Sequence, residues 1–289
     1  MLVAGVDVHQ HLWPTQFVRA LARRRRPPLI DRDRLVLAEG TYDVPAGIDD
    51  PAALVAALDD AELDVAVVSL QPTLGTAEVA PAERDELELT WAEGIRELCA
   101  ETDGRVRAFA PGRVLDGFAG ASVQARALDD LDALAPLLDE LERRSQPLFV
   151  HPGAPRGPEN RPDWWPAVVD YTAQMQRAYF GWLAFGRERW PALRVVFALL
   201  AGGAPFQLER LGQRGRDVRS VLDDNVFLDV ATYGRRAIEL CAQTFGVRRL
   251  VYGSDRPLVD PAQTLHAVRG FGESVSTLVC VHNPADLLT

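Results

Sequence analysis

VAGVDVHQH, residues 3–11, is the stretch of sequence that most directly decides the fold. Its apolar part, residues 3–8, predicts a β-strand, and this strand runs into His9-Gln10-His11. Hydrophobicity that is continuous rather than alternating is typical of a parallel strand buried on both faces. Seven further apolar runs follow, at residues 64–70 (DVAVVSL), 106–110, 118–124 (FAGASVQ), 147–150 (PLFV), 194–200 (RVVFALL), 226–230 (VFLDV) and 250–252.

Helix-like segments separate these runs. Apolar residues recur at helical spacing over residues 51–62, 81–102, 128–144 and 235–244. Strands that alternate with helices predict right-handed parallel units, and eight strands is the number that closes a barrel. The sequence therefore predicts an α/β fold, a (β/α)₈ TIM-type barrel that forms a single domain over residues 1–289. Residues 15–48 and 154–165 follow strand ends, so we expect them to be loop insertions over the C-terminal face.

The composition narrows the class of partner. The formal net charge is -10 and hydrophobic residues make up 47% of the chain. An acidic surface repels phosphate backbones and anionic lipids, so we expect no nucleic-acid or membrane partner but a small-molecule substrate. Cys99, Cys241 and Cys280 form no close pair, which favours a reducing compartment. With no leader peptide or membrane span recognisable, we expect a cytoplasmic protein.

Four side chains point to a metal site. His9 and His11 lie two residues apart in a strand, so they share one face. His151 and Asp255 each follow another predicted strand. Barrel enzymes keep their active sites at the C-terminal ends of strands, so all four side chains should converge there. Imidazole and carboxylate donors predict one divalent ion, with Zn²⁺ expected, which lowers the pKa of a bound water toward about 7.

The sequence also resembles a known family. VDVHQHLW (6–13), PLFVHPG (147–153), LVYGSDRP (250–257) and HNPADLL (282–288) are similar, in this order, to motifs of the amidohydrolase-related group that includes aminocarboxymuconate-semialdehyde-type decarboxylases and lactone or amide hydrolases. WPALRVVFALLAGGAPFQLERL (190–211) and NVFLDVATYG (225–234) extend the similarity over nearly the whole chain. The resemblance implies a distorted barrel with one catalytic metal held by His9, His11, His151 and Asp255. Because barrels of this group often pair, a homodimer is an expectation.

Two features of the chain qualify what the resemblance implies. The family usually has a histidine that acts as acid or base just before the Gly-Gly pair, and here Leu200 stands in that position. Asp255 could then be both ligand and general base, a loop residue could replace the histidine, or the usual activity could be lost. Binuclear relatives commonly bridge their metals with a modified lysine, and this chain has no lysine. We therefore expect a mononuclear site.

Further residues are candidates for substrate binding. Arg256 adjoins Asp255, Trp13 follows the first strand and Tyr233 follows the seventh, so each is predicted to reach the pocket. Residues 23–26, four consecutive arginines, could pair with a carboxylate or phosphate, but we interpret them as a solvated basic segment.

Three hypotheses for the function follow. The first is a metal-dependent hydrolase in which Asp255 takes the proton from an activated water. The second is a non-oxidative decarboxylase of a small carboxylic acid, for which Leu200 is a disadvantage because the resemblance implies that decarboxylation in this group uses the histidine as proton donor. The third is a member of the family without catalytic activity.

Overall fold

Eight parallel strands build the centre of the molecule. The structure is a computed structural model, and it describes residues 5–156, 161–218 and 222–289. The strands of this part of the chain are β1 (Val6–Gln10), β2 (Leu29–Asp31), β3 (Arg34–Leu37), β4 (Gly40–Asp43), β5 (Val65–Ser69), β6 (Val106–Pro111), β7 (Gly120–Gln124), β8 (Leu148–His151), β9 (Val195–Phe197), β10 (Val226–Asp229) and β11 (Leu250–Val251).

The eight-stranded sheet has the order β1-β5-β6-β7-β8-β9-β10-β11, and neighbouring strands are parallel. Its edges meet, because the backbone N–H of Val8 donates to the carbonyl of Tyr252 at 2.9 Å and that of Asp255 to the carbonyl of His9 at 2.8 Å. The sheet is thereby nearly closed into a barrel. The predicted (β/α)₈ barrel and its eight strand-forming runs are confirmed, except that residues 3 and 4 of the first run lie outside the described residues.

Helices surround the barrel, and the four predicted helical segments correspond to α2 (Pro51–Asp60), α3 (Pro81–Glu101), α4 (Leu131–Arg143) and α8 (Arg235–Phe245). Asp50 and Asp130 cap two of them, since their carboxylates accept the backbone N–H groups of Ala53 and Ala133. Across the described residues the helices are α1 (Thr15–Arg23), α2 (Pro51–Asp60), α3 (Pro81–Glu101), α4 (Leu131–Arg143), α5 (Tyr171–Gly181), α6 (Leu199–Gly203), α7 (Pro205–Gly212), α8 (Arg235–Phe245), α9 (Ala262–Arg269), α10 (Glu273–Thr277) and α11 (Asn283–Leu288).

One crossover departs from the regular alternation. Residues 112–119 join β6 to β7 without a helix. Parallel neighbours normally need a longer connection. Here Phe118, which is 5% exposed, packs into the core from this short loop, and the guanidinium of Arg96 lies 5.7 Å from its ring centroid.

The segment α6 is a left-handed turn and not an ordinary helix. Leu199, Leu200 and Ala201 have φ values of 54°, 50° and 51°. Each such residue costs roughly 1–2 kcal/mol relative to right-handed backbone. The run 194–200 was predicted to be strand throughout, and this is wrong at its end: β9 stops at Phe197 because the chain turns there. Gly202 lets the turn lie against α5, since a Cβ at this position would be 2.2 Å from the carbonyl oxygen of Thr172.

The two predicted insertions take different positions. Strands β2, β3 and β4 form a small antiparallel sheet, and residues Leu35 and Tyr42 of this sheet line a cavity together with Gln71 and Leu258 from other loops. This part lies over the mouth, as predicted. Helix α1 instead packs outside the barrel against α3. In the second insertion, residues 157–160 lie outside the described residues.

Aromatic rings fill the barrel interior beneath its C-terminal end. Phe109 and Phe149 stack with ring centroids 5.4 Å apart, and the ring of His9 lies 5.0 Å from that of Phe149. Both phenylalanines have no exposed surface, and burial of such a side chain contributes about 1.5–3 kcal/mol. This layer is the floor on which the polar site is built. Within the described ranges, no helix combines the length and apolar character that a membrane crossing needs.

Candidate metal centre

Four side chains converge at the C-terminal end of the barrel. One ligand atom from each of His9, His11, His151 and Asp255 lies within 4.8 Å of all the others. The Nε2 atoms of His9 and His11 are 3.2 Å apart, and Asp255 Oδ1 lies 3.4 Å from the first and 3.2 Å from the second. The ring of His151 lies 5.0 Å from that of His9 and 5.3 Å from that of His11. These separations allow one ion to contact all four.

The backbone explains why these residues meet. Along β1, side chains alternate, so His9 and His11 point to the barrel interior while Val8 and Gln10 do not. His151 is the last residue of β8. Asp255 follows β11 in left-handed backbone with a φ of 59°, a conformation that aspartate tolerates better than most residues. Its N–H donates to the carbonyl of His9, which holds the carboxylate beside the imidazoles.

Each imidazole is held from its far side. His11 Nδ1 lies 2.9 Å from the carbonyl oxygen of Ser69, and His151 Nδ1 lies 2.8 Å from that of Pro152. A carbonyl oxygen only accepts hydrogen bonds, so both Nδ1 atoms must carry the proton. In the neutral rings, the Nε2 lone pairs are then left for the shared centre. This arrangement is typical of histidines that bind a metal.

Asp229 holds the third imidazole. His9 Nδ1 lies 2.6 Å from Asp229 Oδ2, and neither side chain has exposed surface. The other oxygen of Asp229 accepts the backbone N–H of Ala231 at 2.8 Å. The sequence analysis missed this residue. One feature of the sequence could have pointed to it. Asp229 lies near the end of the apolar run VFLDV, and a carboxylate that faces the interior of a closed barrel has no contact with solvent.

The electrostatics of the cluster call for a positive charge. Burial by itself would lower the pKa of His9, but the carboxylates of Asp229 and Asp255 outweigh it and raise that pKa to about 9. Burial and the two neighbouring imidazoles lower the pKa of His151 well below its usual value. Asp255 Oδ1 is buried without a hydrogen-bond donor. Lone pairs that face one another with no donor between them fit a cation, so the donor set suits a divalent metal.

Asp255 is also the member of the cluster that faces outward. Its side chain is 13% exposed, whereas those of His9 and His11 have no exposed surface. Burial would raise the pKa of Asp255, but the imidazoles of His9 and His11 lower it, so the carboxylate is ionised at neutral pH. It can therefore meet both a bound ion and a molecule that enters from the mouth.

Leu200 is a buried non-polar residue in the turn that follows β9. Its side chain is 1% exposed and sits in the left-handed turn α6. The turn is fixed by Gln176, whose Nε2 donates to the carbonyl of Gly202 at 2.6 Å. A leucine there can neither move a proton nor donate a hydrogen bond. Any acid or base that acts on a substrate must come from elsewhere.

A cavity of about 250 Å³ opens at the mouth of the barrel. Its walls come from the small sheet, from the loop after β5, from the segment after β8 and from the loop after Asp255. This volume suits a ligand smaller than a typical drug molecule. Polar groups on its walls are Glu39, Tyr42, Asp43, Gln71, Thr73, Asp163 and Tyr171.

Residues predicted to bind substrate are not among those that line this cavity. Trp13 has no exposed surface, and its Nε1 donates to Gln71 Oε1 at 2.7 Å, so it lies behind the wall and positions Gln71. Tyr233 packs against the core near Cys241 of α8, on the outer side of the barrel. Arg256 lies beside the mouth, and its backbone carbonyl accepts the N–H of His11 at 2.8 Å.

The consecutive arginines lie away from the metal cluster. Arg23, Arg24, Arg25 and Arg26 line a separate surface cavity of about 620 Å³ between α1 and α3. Arg24 pairs there with Glu83 at 3.1 Å. This location agrees with the interpretation of the run as a solvated basic segment.

Comparison with known proteins gives both a sequence relative and similar structures. No protein-family model matches the sequence. The chain is 25% identical over 186 residues to 2-amino-3-carboxymuconate-6-semialdehyde decarboxylase of Dictyostelium discoideum, a match that covers 58% of this chain and 52% of that protein. The chain thus spans about half the length of this curated relative.

Two solved structures share the fold over their whole length. IDCase of Metarhizium anisopliae has a TM-score of 0.84 at 20% identity, with 99% of this chain and 97% of that chain covered. 5-Carboxyvanillate decarboxylase of Novosphingobium aromaticivorans, solved with manganese and 4-hydroxy-3-methoxy-5-nitrobenzoic acid, has a TM-score of 0.76 at 15% identity, with 99% and 96% covered. The chain is thus similar in sequence to an aminocarboxymuconate-semialdehyde decarboxylase, and its barrel fold is similar to those of the two solved structures.

Proposed function

We propose that the protein is a metal-dependent, non-oxidative decarboxylase of a small carboxylic acid. The observation that carries the proposal is the cluster of His9, His11, His151 and Asp255 at the C-terminal end of the barrel. The sequence relative is a decarboxylase by name, and so is the structural neighbour with bound manganese. For this reason decarboxylation replaces hydrolysis, the first of our sequence-based hypotheses, as the preferred reaction.

The ion is proposed to be a single Zn²⁺ or Mn²⁺. Three imidazoles and one carboxylate are donors that both ions accept, so the ligands alone do not select between them. The manganese in the 5-carboxyvanillate decarboxylase is a reason to test Mn²⁺ beside the Zn²⁺ expected from the sequence. The absence of lysine from the chain supports a mononuclear site.

The residues of the chain have separable roles in this proposal. His9, His11, His151 and Asp255 would hold a divalent ion, which would supply Lewis acidity toward a substrate oxygen. Asp229 fixes the ring of His9, while the carbonyls of Ser69 and Pro152 fix the other two rings. The rigid floor of Phe109 and Phe149 excludes water from below the cluster.

The proton requires a source other than residue 200. Decarboxylation breaks the bond between the carboxylate carbon and the substrate carbon, releases CO₂ and leaves an electron pair on carbon that must take up a proton. We assign the transfer to Asp255, whose ionised carboxylate would take a proton from water at the mouth and pass it to the substrate carbon, because its side chain is partly exposed and is the outward-facing member of the cluster. Tyr171, on the cavity wall, has a pKa that burial raises, so it stays a neutral hydrogen-bond donor.

Hydrolysis is the second candidate, and Leu200 is the observation that favours it. Attack by an activated water needs a base but no separate acid that protonates carbon, and Asp255 alone can supply that base. The substrate would then be a small ester, lactone or amide that fits the same cavity. The two candidates share the metal cluster and differ in the bond that is broken.

Measurement of CO₂ release separates them. Protein loaded with Zn²⁺ or Mn²⁺ is incubated with a panel of carboxylic acids that includes 2,6-dihydroxybenzoate and 5-carboxyvanillate, and in parallel with lactones and amides. We expect CO₂ release that disappears in His11→Ala together with about one bound metal per chain. His266→Ala, which changes an exposed histidine of α9, is the matched control and should keep both. Turnover of lactones or amides without CO₂ release would establish hydrolysis instead.

A metal-loaded native protein that turns over neither panel would support the third hypothesis, a member without catalysis. In that case, activity gained by Leu200→His would attribute the loss to this position.

A further inference from the structure

The surface cavity between α1 and α3 has a surplus of positive charge. Arg19 and Arg23 lie four residues apart on α1, so they share one face of that helix. Three further guanidinium groups follow directly after α1, and two carboxylates of α3 stand opposite. We call this cavity the basic groove, and the charged residues that line it are Arg19, Arg23, Arg24, Arg25, Arg26, Glu83 and Glu86.

One arginine of the basic groove is held in place. The Nη2 atom of Arg24 pairs with Glu83 at 3.1 Å, and its Nε donates to the carbonyl of Pro28 at 2.7 Å. The side chain of Arg24 is 13% exposed, so it fixes the segment that follows α1 against the first turn of α3. The groove is therefore part of the folded surface.

The other four guanidinium groups of the groove have no partner of opposite charge. In the part of the chain that the structure describes, neither an ion pair nor a side-chain hydrogen bond is made by Arg19, Arg23, Arg25 and Arg26. An exposed arginine elsewhere, Arg177, does pair with a carboxylate, that of Asp129 at 2.6 Å. The chain has 41 acidic residues against 31 basic ones, so carboxylates are not scarce. These solvated guanidinium groups repel one another, and an anion between them would remove that repulsion.

The size of the charge surplus indicates the class of anion. Five guanidinium groups and two carboxylates leave three positive charges in the groove. One phosphate group carries about −1.5 to −2 charges at pH 7 and neutralises only part of this surplus, whereas two linked phosphates neutralise nearly all of it. Guanidinium forks also match the geometry of phosphate oxygens. The net charge of -10 on the whole chain would repel a long phosphate backbone beyond the groove, so the ligand must be short.

We propose that the basic groove binds a short polyphosphate, either pyrophosphate itself or the linked phosphates of a nucleotide. Its volume of about 620 Å³ is sufficient for either ligand. Among the described residues, no aromatic ring lines the groove, so the phosphate chain is the part that is recognised. The metal cluster lies inside the barrel and the groove lies outside it, so this site is independent of the proposed reaction.

Calorimetry on the metal-loaded full chain tests the site with phosphate, pyrophosphate and ADP at physiological salt. We expect one pyrophosphate per chain, bound about tenfold or more tightly than phosphate, the range expected for an additional charge-assisted hydrogen bond. Equal affinity for pyrophosphate and ADP would identify the phosphate chain as the ligand, and tighter binding of ADP would identify a nucleotide. The triple variant Arg23→Gln, Arg25→Gln and Arg26→Gln should lose the preference for linked phosphates.

A second triple variant is the matched control. Arg210→Gln, Arg214→Gln and Arg216→Gln remove the same three charges from exposed positions in and after α7, and should keep the preference. Any metal that pyrophosphate takes from the cluster is lost equally from both variants, so it cancels in their comparison.

Three results would overturn the proposal: equal affinity for phosphate and pyrophosphate, an unchanged preference in the groove variant, or the same loss in the control, which would reduce the effect to net charge. A native dimer that binds no polyphosphate and dissociates in the groove variant would also overturn it, because the groove would then be an interface between copies of the chain.

Discussion

Replacement of Asp229 by asparagine should weaken metal binding without removing any ligand. In the native protein, one oxygen of Asp229 meets His9 Nδ1 at 2.6 Å and the other accepts the N–H of Ala231 at 2.8 Å. An asparagine has a single oxygen, so its side-chain NH₂ group must face one of these two N–H groups. If it faces His9, the ring moves its proton to Nε2 and loses the lone pair for the metal. If it faces Ala231, a buried backbone N–H loses its acceptor.

The magnitude follows from burial and charge. Both His9 and Asp229 have no exposed side-chain surface, so water cannot replace the lost interaction. Partners that orient a metal-bound histidine typically contribute 10- to 100-fold in metal affinity. This corresponds to about 1.4–2.8 kcal/mol. We therefore expect Asp229→Asn to raise the Kd for Zn²⁺ within that range while the circular dichroism spectrum stays native.

Competition with a chromogenic chelator measures the change. Asp260→Asn serves as the matched control, because Asp260 is exposed and only accepts the backbone N–H of Ala262 at the start of α9. Its metal affinity should equal that of the native protein. An unchanged Kd for folded Asp229→Asn would refute the role assigned to this carboxylate, and complete loss of metal would show that it is a ligand itself.

Three other predictions test different parts of the structure. Removal of the metal with EDTA should lower Tm, since an ion present at 100 times its Kd stabilises the native state by about 2.7 kcal/mol. Added Zn²⁺ or Mn²⁺ should restore the native Tm. An unchanged Tm after EDTA treatment would argue against the site. Leu200→His should increase CO₂ release by restoring the imidazole that the family resemblance implies at this position, and an equal or lower rate would show that the left-handed turn aims position 200 elsewhere. Burial raises the pKa of Cys99 and Cys280 to about 11 and that of Cys241 to about 12, so the reactive thiolate is scarce at pH 8. Alkylation by iodoacetamide should therefore be slow there and rise roughly tenfold per pH unit toward pH 10, whereas unfolded protein should react quickly at all three cysteines.

The sequence was sufficient to predict the barrel and the members of the metal cluster. Continuous apolar runs can only be buried on both faces, and eight of them separated by helical segments leave few arrangements other than a closed parallel barrel. The spacing of His9 and His11 fixes a common face in any strand. His151 and Asp255 could be added because chain order places every strand end at the same rim.

Other parts depended on contacts that the sequence does not record. Asp229 becomes the partner of His9 only because closure of the barrel leaves a single strand, β11, between β10 and β1, although the two residues are 220 positions apart in the chain. Trp13 looked like a substrate residue by position, but packing turned it inward against Gln71. The sequence pattern of a strand determines which face of the sheet a side chain takes, because the alternation of faces is local geometry. The partner that the side chain meets on that face depends on how distant segments pack against one another, and only the tertiary structure decides this.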